Sequence, residues 1–388
     1  MSKLDELIRE LCPDGVEAKK LKDFLVIKNG SDYKSFGTGD YPVYGSGGIM
    51  TYIDRYAYDK PSVLIPRKGS IDKLYYVEKP FWNVDTIFYT EIDTTKAIPR
   101  YVYYCLQQKH LEEYNTAGGV PSLTQKVLNN IEILVPPLGI QREIVRILDN
   151  FTNLTAELTA ELTARQKQYA FYRNKLLTFG KIEGARIERI PLGDIGSICM
   201  CKRILKCQTN TVGGVPFYKI GTFGKKADSY ISQETFDEYR SKYNFPKKGD
   251  VLISAAGTIG RTVVYDGEPA YFQDSNIVWI DNDESIVLNS YLRYCYELKP
   301  WKVSSGGTIQ RLYNDNIAKA VITVPPLDVQ NRIVNVLDNF EKICSDLNIG
   351  LPAEIEARQK QYEYYRDKLL TFAENGNTIL SRAEQSTD

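Results

Sequence analysis

One stretch of this chain, residues 135–179, is written twice, and no other feature limits the possible folds as strongly. The second copy occupies residues 324–372. Pro136-Pro137-Leu138 recurs 189 positions later at Pro325-Pro326-Leu327, and Leu148-Asp149-Asn150-Phe151 keeps that offset at residues 337–340. From Ala164-Arg165-Gln166-Lys167-Gln168-Tyr169 onward the offset is 193, so the second copy has gained four residues, about one helical turn. A 388-residue chain that repeats near 189 is a tandem duplication.

Each copy predicts a long amphipathic helix. Ile144, Ile147, Phe151, Leu154, Leu158, Leu162, Arg165, Tyr169, Tyr172, Leu176 and Phe179 follow steps of three and four. That is a coiled-coil seam with one stutter at Leu158–Leu162. Paired prolines stop the strand before it, and proline suits the first helical turn but not the interior. The first helix is expected over residues 139–180, roughly 60 Å at 1.5 Å per residue. The second, 327–374, keeps the seam with Ile333, Val336, Phe340, Ile343 and Leu347 and resumes it at Ile355, Arg358, Tyr362, Tyr365, Leu369 and Phe372. Between these runs Gly350-Leu351-Pro352 predicts a break or a kink. Two seams of similar length in one chain can satisfy each other, so an antiparallel pair of spacer helices is expected.

The remaining chain falls into two globules. Residues 1–14 read as a short amphipathic helix, with Leu4, Leu7, Ile8 and Leu11 on one face, and 375–388 as a tail. Residues 15–138 alternate β-branched and aromatic runs with glycine turns, then give one helix near Pro99 to Glu113 and an exit strand at 131–135. Residues 181–326 repeat that order. Val251-Leu252-Ile253 answers Val63-Leu64-Ile65, Tyr291-Leu292 answers Tyr101-Val102, and Ser305-Gly306-Gly307 answers Ala117-Gly118-Gly119. The fold class expected is α+β, with two curved-sheet globules alternating with two long helices. Shared framework with different loops is the pattern of one fold presenting two different binding surfaces.

Composition narrows the class. Forty-nine basic residues balance 49 acidic ones, and 43% of residues are hydrophobic, as in ordinary globular proteins. No apolar run reaches the length of a membrane span, and the first residues do not open a signal peptide. Seven cysteines without zinc spacing, beside the single His110, read as reduced thiols and point to the cytoplasm.

The order globule, helix, globule, helix resembles the specificity subunit of type I restriction-modification enzymes over residues 15–374. The two Pro-Pro-Leu-x-x-Gln motifs, ending at Gln141 and Gln330, and the two Ala-Arg-Gln-Lys-Gln-Tyr helix ends carry the resemblance. It implies that each globule is a target-recognition domain reading one half of a bipartite double-stranded DNA site. It further implies that the paired helices fix the separation and dock two methyltransferase subunits, joined for cleavage by restriction (motor-nuclease) subunits. S-adenosylmethionine, ATP and Mg would belong to those partners, with no cofactor or metal in this chain.

The charge distribution gives partial support. Residues 181–226 hold nine basic side chains against three acidic, whereas residues 1–135 hold 17 against 18. Phosphate contacts dominate DNA affinity, so a near-neutral chain fits a partner that shares the grip. Base reading needs amides, hydroxyls and guanidinium groups on loop tips, with glycines that let the backbone approach. In the first domain the candidates are Tyr44, Ser46, Gly47, Gly48, Arg67, Lys68, Lys73, Asn115, Gly118, Gly119, Ser122, Thr124, Gln125 and Lys126. In the second they are Lys219, Thr222, Lys225, Lys226, Thr258, Arg261, Gln273, Asp274, Ser304, Ser305, Gly306, Gly307, Gln310, Arg311 and Asn314. The same glycines also fit simple tight turns, and the charge run also fits a solvated face.

No catalytic signature is present. The chain has no phosphate-binding Gly-x-x-x-x-Gly-Lys-Ser/Thr loop, and its Pro-Pro pairs follow valine and precede leucine, unlike the methyltransferase Asn/Asp-Pro-Pro-aromatic motif. One histidine excludes a two-histidine metal site. The chain is expected to be non-catalytic by itself. Two other classes stay open: a coiled-coil scaffold displaying two ligand-binding globules, and a nuclease or recombinase with a cryptic site.

Overall fold

A computed structural model of the chain describes residues 3–115, 120–179, 187–303 and 310–371. The chain divides into two compact units, one made of Met1–Thr159 with Glu354–Asp388 and the other of Ala160–Ala353. Each unit thus joins one globule to the start of one duplicated segment and the end of the other.

In the first unit a four-stranded antiparallel sheet runs in the order Leu25–Lys28, Ile87–Ile92, Ser62–Pro66, Tyr75–Val77. A three-stranded sheet places Tyr41–Gly45 between the antiparallel Gly48–Ile53 and the parallel Trp82–Asn83. Ala18–Lys20 pairs with the exit strand Glu132–Leu134. All three sheets recur in the second unit. Ser197–Cys199, Ile277–Asp281, Val251–Ser254 and Thr262–Val264 form the four-stranded one. Val215–Tyr218 lies between the antiparallel Tyr230–Ile231 and the parallel Tyr271–Phe272, and Glu188–Pro191 pairs with Val321–Val324.

The unbroken apolar runs noted in the sequence are the strands covered on both faces. Val63 and Ile65 point into the core shared with the helices, while Leu64 packs on the other face with Val77, Phe81 and Ile87. Val251 and Ile253 repeat the first arrangement, and Leu252 the second. Side chains alternate across a strand, so a strand between two layers must be apolar at every position. Burying each such residue contributes on the order of 1.5–3 kcal/mol.

Helix Pro99–Gln108 covers the first sheet and Asn289–Glu297 the second. Tyr101 and Tyr291 are both fully buried, and each hydroxyl donates to an exit-strand carbonyl, Leu134 at 3.0 Å and Thr323 at 2.9 Å. The first helix is shorter than its sequence pattern, which ran on toward Glu113. His110 takes a left-handed backbone conformation (φ 47°), and Leu111–Tyr114 follows as a separate 3-10 turn.

The first spacer is a 40-residue helix, Leu138–Leu177, ending a few residues before the expected boundary. In the first unit its initial turns bury Ile140, Ile144 and Leu148 against Leu369 and Leu370, and Phe151 stacks on Tyr365 at 5.5 Å. Rising numbers on one helix meet falling numbers on the other, so the segments run antiparallel. The second unit repeats this: Leu177 joins the core with Ile333 and Leu337, and Tyr172 stacks on Phe340 at 6.0 Å. Away from these ends the seam residues Leu154, Ile343 and Leu347 are exposed.

The second spacer is broken rather than kinked, into Leu327–Ser345 and Leu351–Leu370. The break spans residues 346–350 and ends at Gly350, the first residue of the expected Gly350-Leu351-Pro352 site. Asp346 stops the first helix by accepting the Asn348 and Ile349 N–H groups at 2.7 and 3.2 Å. A Cβ on Gly350 would lie 2.5 Å from the Lys342 carbonyl oxygen, so the close return of the chain requires glycine. Pro352 then sits in the first turn of the next helix, where its missing N–H costs nothing.

Candidate nucleic-acid interface

Three loop segments of the first globule converge. The hairpin Tyr41–Ile53 turns at Ser46-Gly47 and is bent by a register shift between Val43 and Tyr44. The Ser46 carbonyl accepts the Tyr75 hydroxyl at 3.1 Å, and a Cβ on Gly69 (φ 79°) would lie 3.8 Å from Ser46 Oγ. Lys68 bridges to Ser122, and the Leu123 N–H donates to the Arg67 carbonyl at 2.9 Å. The Asn115 side chain accepts the Ser122 N–H at 3.0 Å. Ser46, Gly47, Gly48, Arg67, Lys68, Asn115 and Ser122 therefore share one face. Lys68, Lys73 and Lys126 extend into solvent.

Other candidates in this globule are partly spent internally. Tyr44 packs against Tyr75 and Phe81, and burial pushes its phenol above the ordinary range. Thr124 caps helix Gln125–Asn129 through the Val127 N–H, and Gln125 donates to Asn29 at 3.3 Å. The Arg67 guanidinium lies over the Phe88 ring, with its Nε buried and without a partner. Gly118 and Gly119 lie outside the described residues.

The second globule repeats the face with more polar crosslinks. Ala256 bridges to Arg311, and the Leu312 N–H donates to the Ala255 carbonyl at 2.8 Å, matching Lys68–Ser122 and Leu123–Arg67. Arg311 donates to the Ser275 carbonyl (3.0 Å) and Arg261 to the Phe223 carbonyl (2.9 Å). Gln273 accepts the Ile220 N–H at 2.9 Å. Thr222 closes its own loop with Lys219, whose ammonium pairs with Asp228 at 2.9 Å. The loop after Val215–Tyr218, the turn 254–261, the segment 273–276 and the start of helix Asn314–Ala318 are thus one connected surface. Asp274 sits half-buried within it, and Lys225, Lys226, Thr258, Gln310 and Asn314 project from it. Ser304, Ser305, Gly306 and Gly307 lie outside the described residues.

Sequence reasoning passed over several residues on these faces. Ile49 and Met50 on the first hairpin are about half exposed, which alternation alone would not predict for neighbours on a strand. Their strand is a sheet edge. Ser275 (φ 54°) supplies the carbonyl that holds Arg311, a role with no residue-type signal. Trp301 is buried against Gly260, where a Cβ would come within 2.9 Å of its ring.

No described helix is long and apolar enough to cross a membrane, and no group of three or more His, Cys, Asp or Glu among the described residues could hold a metal.

Comparison with known proteins places this architecture. The family model for the type I restriction modification DNA specificity domain matches residues 13–165 and again 186–357. The chain belongs to this family. It is 48% identical to a putative type I restriction enzyme specificity subunit of Haemophilus influenzae, covering 87% of this chain and 89% of that protein. A type I restriction enzyme specificity subunit of Escherichia coli is 31% identical over 73% of each chain. Among solved structures, the type I restriction-modification S subunit of M. genitalium shares the fold (TM-score 0.57, 13% identity, 92% of this chain and 97% of that one). A chain from a structural study of type I complex assembly also shares it (TM-score 0.61, 17% identity, 92% and 98%).

Proposed function

We propose that this chain is the sequence-reading subunit of a type I restriction-modification complex. Each globule reads one half of a bipartite double-stranded DNA site through the loop face described above, and the spacer helices fix the unread gap. Two methyltransferase subunits dock on the chain, and restriction subunits join them. S-adenosylmethionine, ATP and Mg act in those partners, and this chain contributes recognition rather than catalysis in the cytoplasm. The observation that carries the reading is the repetition of one three-sheet framework with different side chains on equivalent loops. Shared framework positions the faces, and differing loop residues give two different half-sites.

The test is methylation mapping of DNA from cells that co-express the chain with a cognate methyltransferase subunit. The expected result is methylated adenine in two short defined blocks around a fixed number of unread bases. Exchanging residues 15–135 for those of another specificity subunit should change one block and leave the other. A complex that assembles yet methylates nothing would instead make the chain a scaffold with two unidentified ligands.

A further inference from the structure

Gln141 and Gln330 are fully buried polar side chains at the first turn of each spacer segment. The Gln141 oxygen accepts the Ile98 N–H at 2.8 Å, and its nitrogen donates to the Lys96 carbonyl at 3.0 Å and the Pro136 carbonyl at 2.7 Å. Gln330 repeats all three bonds: Leu288 N–H at 2.9 Å, Ile286 carbonyl at 2.9 Å and Pro325 carbonyl at 2.8 Å. Ile98 and Leu288 immediately precede the helices that cover the two sheets. Pro136 and Pro325 lie in the turns that leave the exit strands. One amide therefore ties three parts of each unit: the sheet-covering helix, the exit turn and the spacer.

A buried amide with three partners is stiff, because any rotation of globule against helix leaves a donor or acceptor unpaired in a fully buried site. Hydrophobic contacts at the same junction are non-directional and tolerate small rotations. Only a side chain with both an acceptor and two donors makes this set, so glutamate, lacking the donors, would set a carboxylate oxygen against two carbonyls.

We infer that Gln141 and Gln330 are positioning residues that set gap discrimination: each locks the orientation of a DNA-reading globule on its own spacer helix. The inference rests on the function proposed above. Base identity is read by the loop faces, which the amide does not touch. Gap length is read by how rigidly each face is held, which the amide controls.

The experiment uses the full chain in complex with its methyltransferase. Adenine methylation rates are measured on DNAs that keep both half-sites and vary the gap one base pair at a time. Wild type is expected to prefer a single gap. Gln141→Leu and Gln330→Leu should each lose about tenfold or more of the discrimination against gaps one base pair longer or shorter, as small misplacements typically cost. Both should retain the same half-site bases, and Gln141→Glu should behave like Gln141→Leu. Tyr101→Phe removes a buried hydrogen bond within the same globule, to the exit strand and not to the spacer helix. It should leave the gap profile unchanged and so controls for general loosening. Wild-type gap profiles in the leucine variants would overturn the inference, as would equal broadening by Tyr101→Phe. Loss of methylation at every gap in the glutamine variants would also overturn it, marking the amide as a purely structural element. A wild type that methylates no split site would overturn the underlying reading, and is told apart because it fails before any variant is compared.

Discussion

The two globules differ where they extend outward and agree where they meet their helices. The first carries a short hairpin whose tip, Ser46-Gly47, has no charge and whose edge strand exposes Ile49 and Met50. The second replaces that turn with a longer loop between Val215–Tyr218 and Tyr230–Ile231, holding Lys219, Lys225 and Lys226. It also adds helix Gln233–Lys242, whose Phe236 and Tyr239 form an aromatic cluster with Phe245, Tyr265 and Tyr271. At the helix junction the likeness is close. Tyr104 donates to Asp149 and Tyr294 to Asp338, while the supporting arginine moves from Arg100 on Asp149 to Arg293 on Glu341. Duplication has preserved the mounting and left the reading surface free to diverge.

The largest test of that contrast is stability. Tyr271 is fully buried at the centre of the added cluster, and its hydroxyl donates to the Lys202 carbonyl at 3.0 Å. Tyr271→Ala should destabilise the second globule by about 3–5 kcal/mol, the usual cost of deleting a buried aromatic side chain. Urea unfolding followed separately for each unit should show the first unit unmoved. Equal loss in both would break the idea that the added cluster is local to the second globule.

A smaller effect concerns charge. Lys225 and Lys226 are exposed on the second face, where the first hairpin has only neutral residues. If both contact phosphate, replacing both with alanine should lower the slope of log affinity against log salt by roughly 2, about 0.9 for each contact. Met50→Ala should leave the slope unaltered. DNA binding by the methyltransferase complex across a salt series measures this, and an unchanged slope for the lysine pair would place the phosphate grip elsewhere.

The smallest effect is a difference in pH response. At the start of the central strand the second globule has buried Asp250 where the first has Ser62. Burial holds the Asp250 carboxyl above its ordinary range, although the Lys247 N–H at 2.7 Å favours the charged form. The folded state thus favours the protonated acid. Its contribution is fully present below the unfolded value of about 3.9 and is lost as pH rises through the raised folded value. Asp250→Asn should therefore gain stability relative to wild type as pH rises from about 4 upward, in thermal unfolding of the second unit. Ser62→Ala, which loses bonds to Thr90, should show a difference that does not vary with pH. A flat difference for Asp250→Asn would show that the carboxyl is not burdened by burial.

Much of the candidate site was legible by residue type and little of it by role. Lys68 and Lys225 read as exposed loop residues and are exposed, and Asn314, read the same way, is exposed as the first residue of a short helix. Thr222, Gln273, Arg261 and Arg311 read equally well as base readers, yet their polar groups bond to nearby loops and carbonyls. A hydroxyl, amide or guanidinium has the same hydrogen-bonding capacity whether a base or a backbone carbonyl stands opposite, so sequence alone cannot separate the uses. The break in the second spacer was legible as an event, because glycine and proline are local signals. Its position at 346–350 depended on Asp346 turning back on its own helix.

By itself, the sequence determined the duplication, the kinds of element in each copy and the amphipathic seams. Those features follow from short-range periodicity and from comparing one half of the chain with the other. Only the tertiary structure decided which segments share a unit. Phe151 stacks on Tyr365, and Tyr172 on Phe340, so the start of one spacer is completed by the end of the other. The structure also decided that Gln141 and Gln330, visible as letters in a repeated motif, each join three backbone groups. Seams with the same period are interchangeable as patterns. Partner choice is fixed by shape and hydrogen-bond geometry between residues far apart in the chain, which no local pattern records.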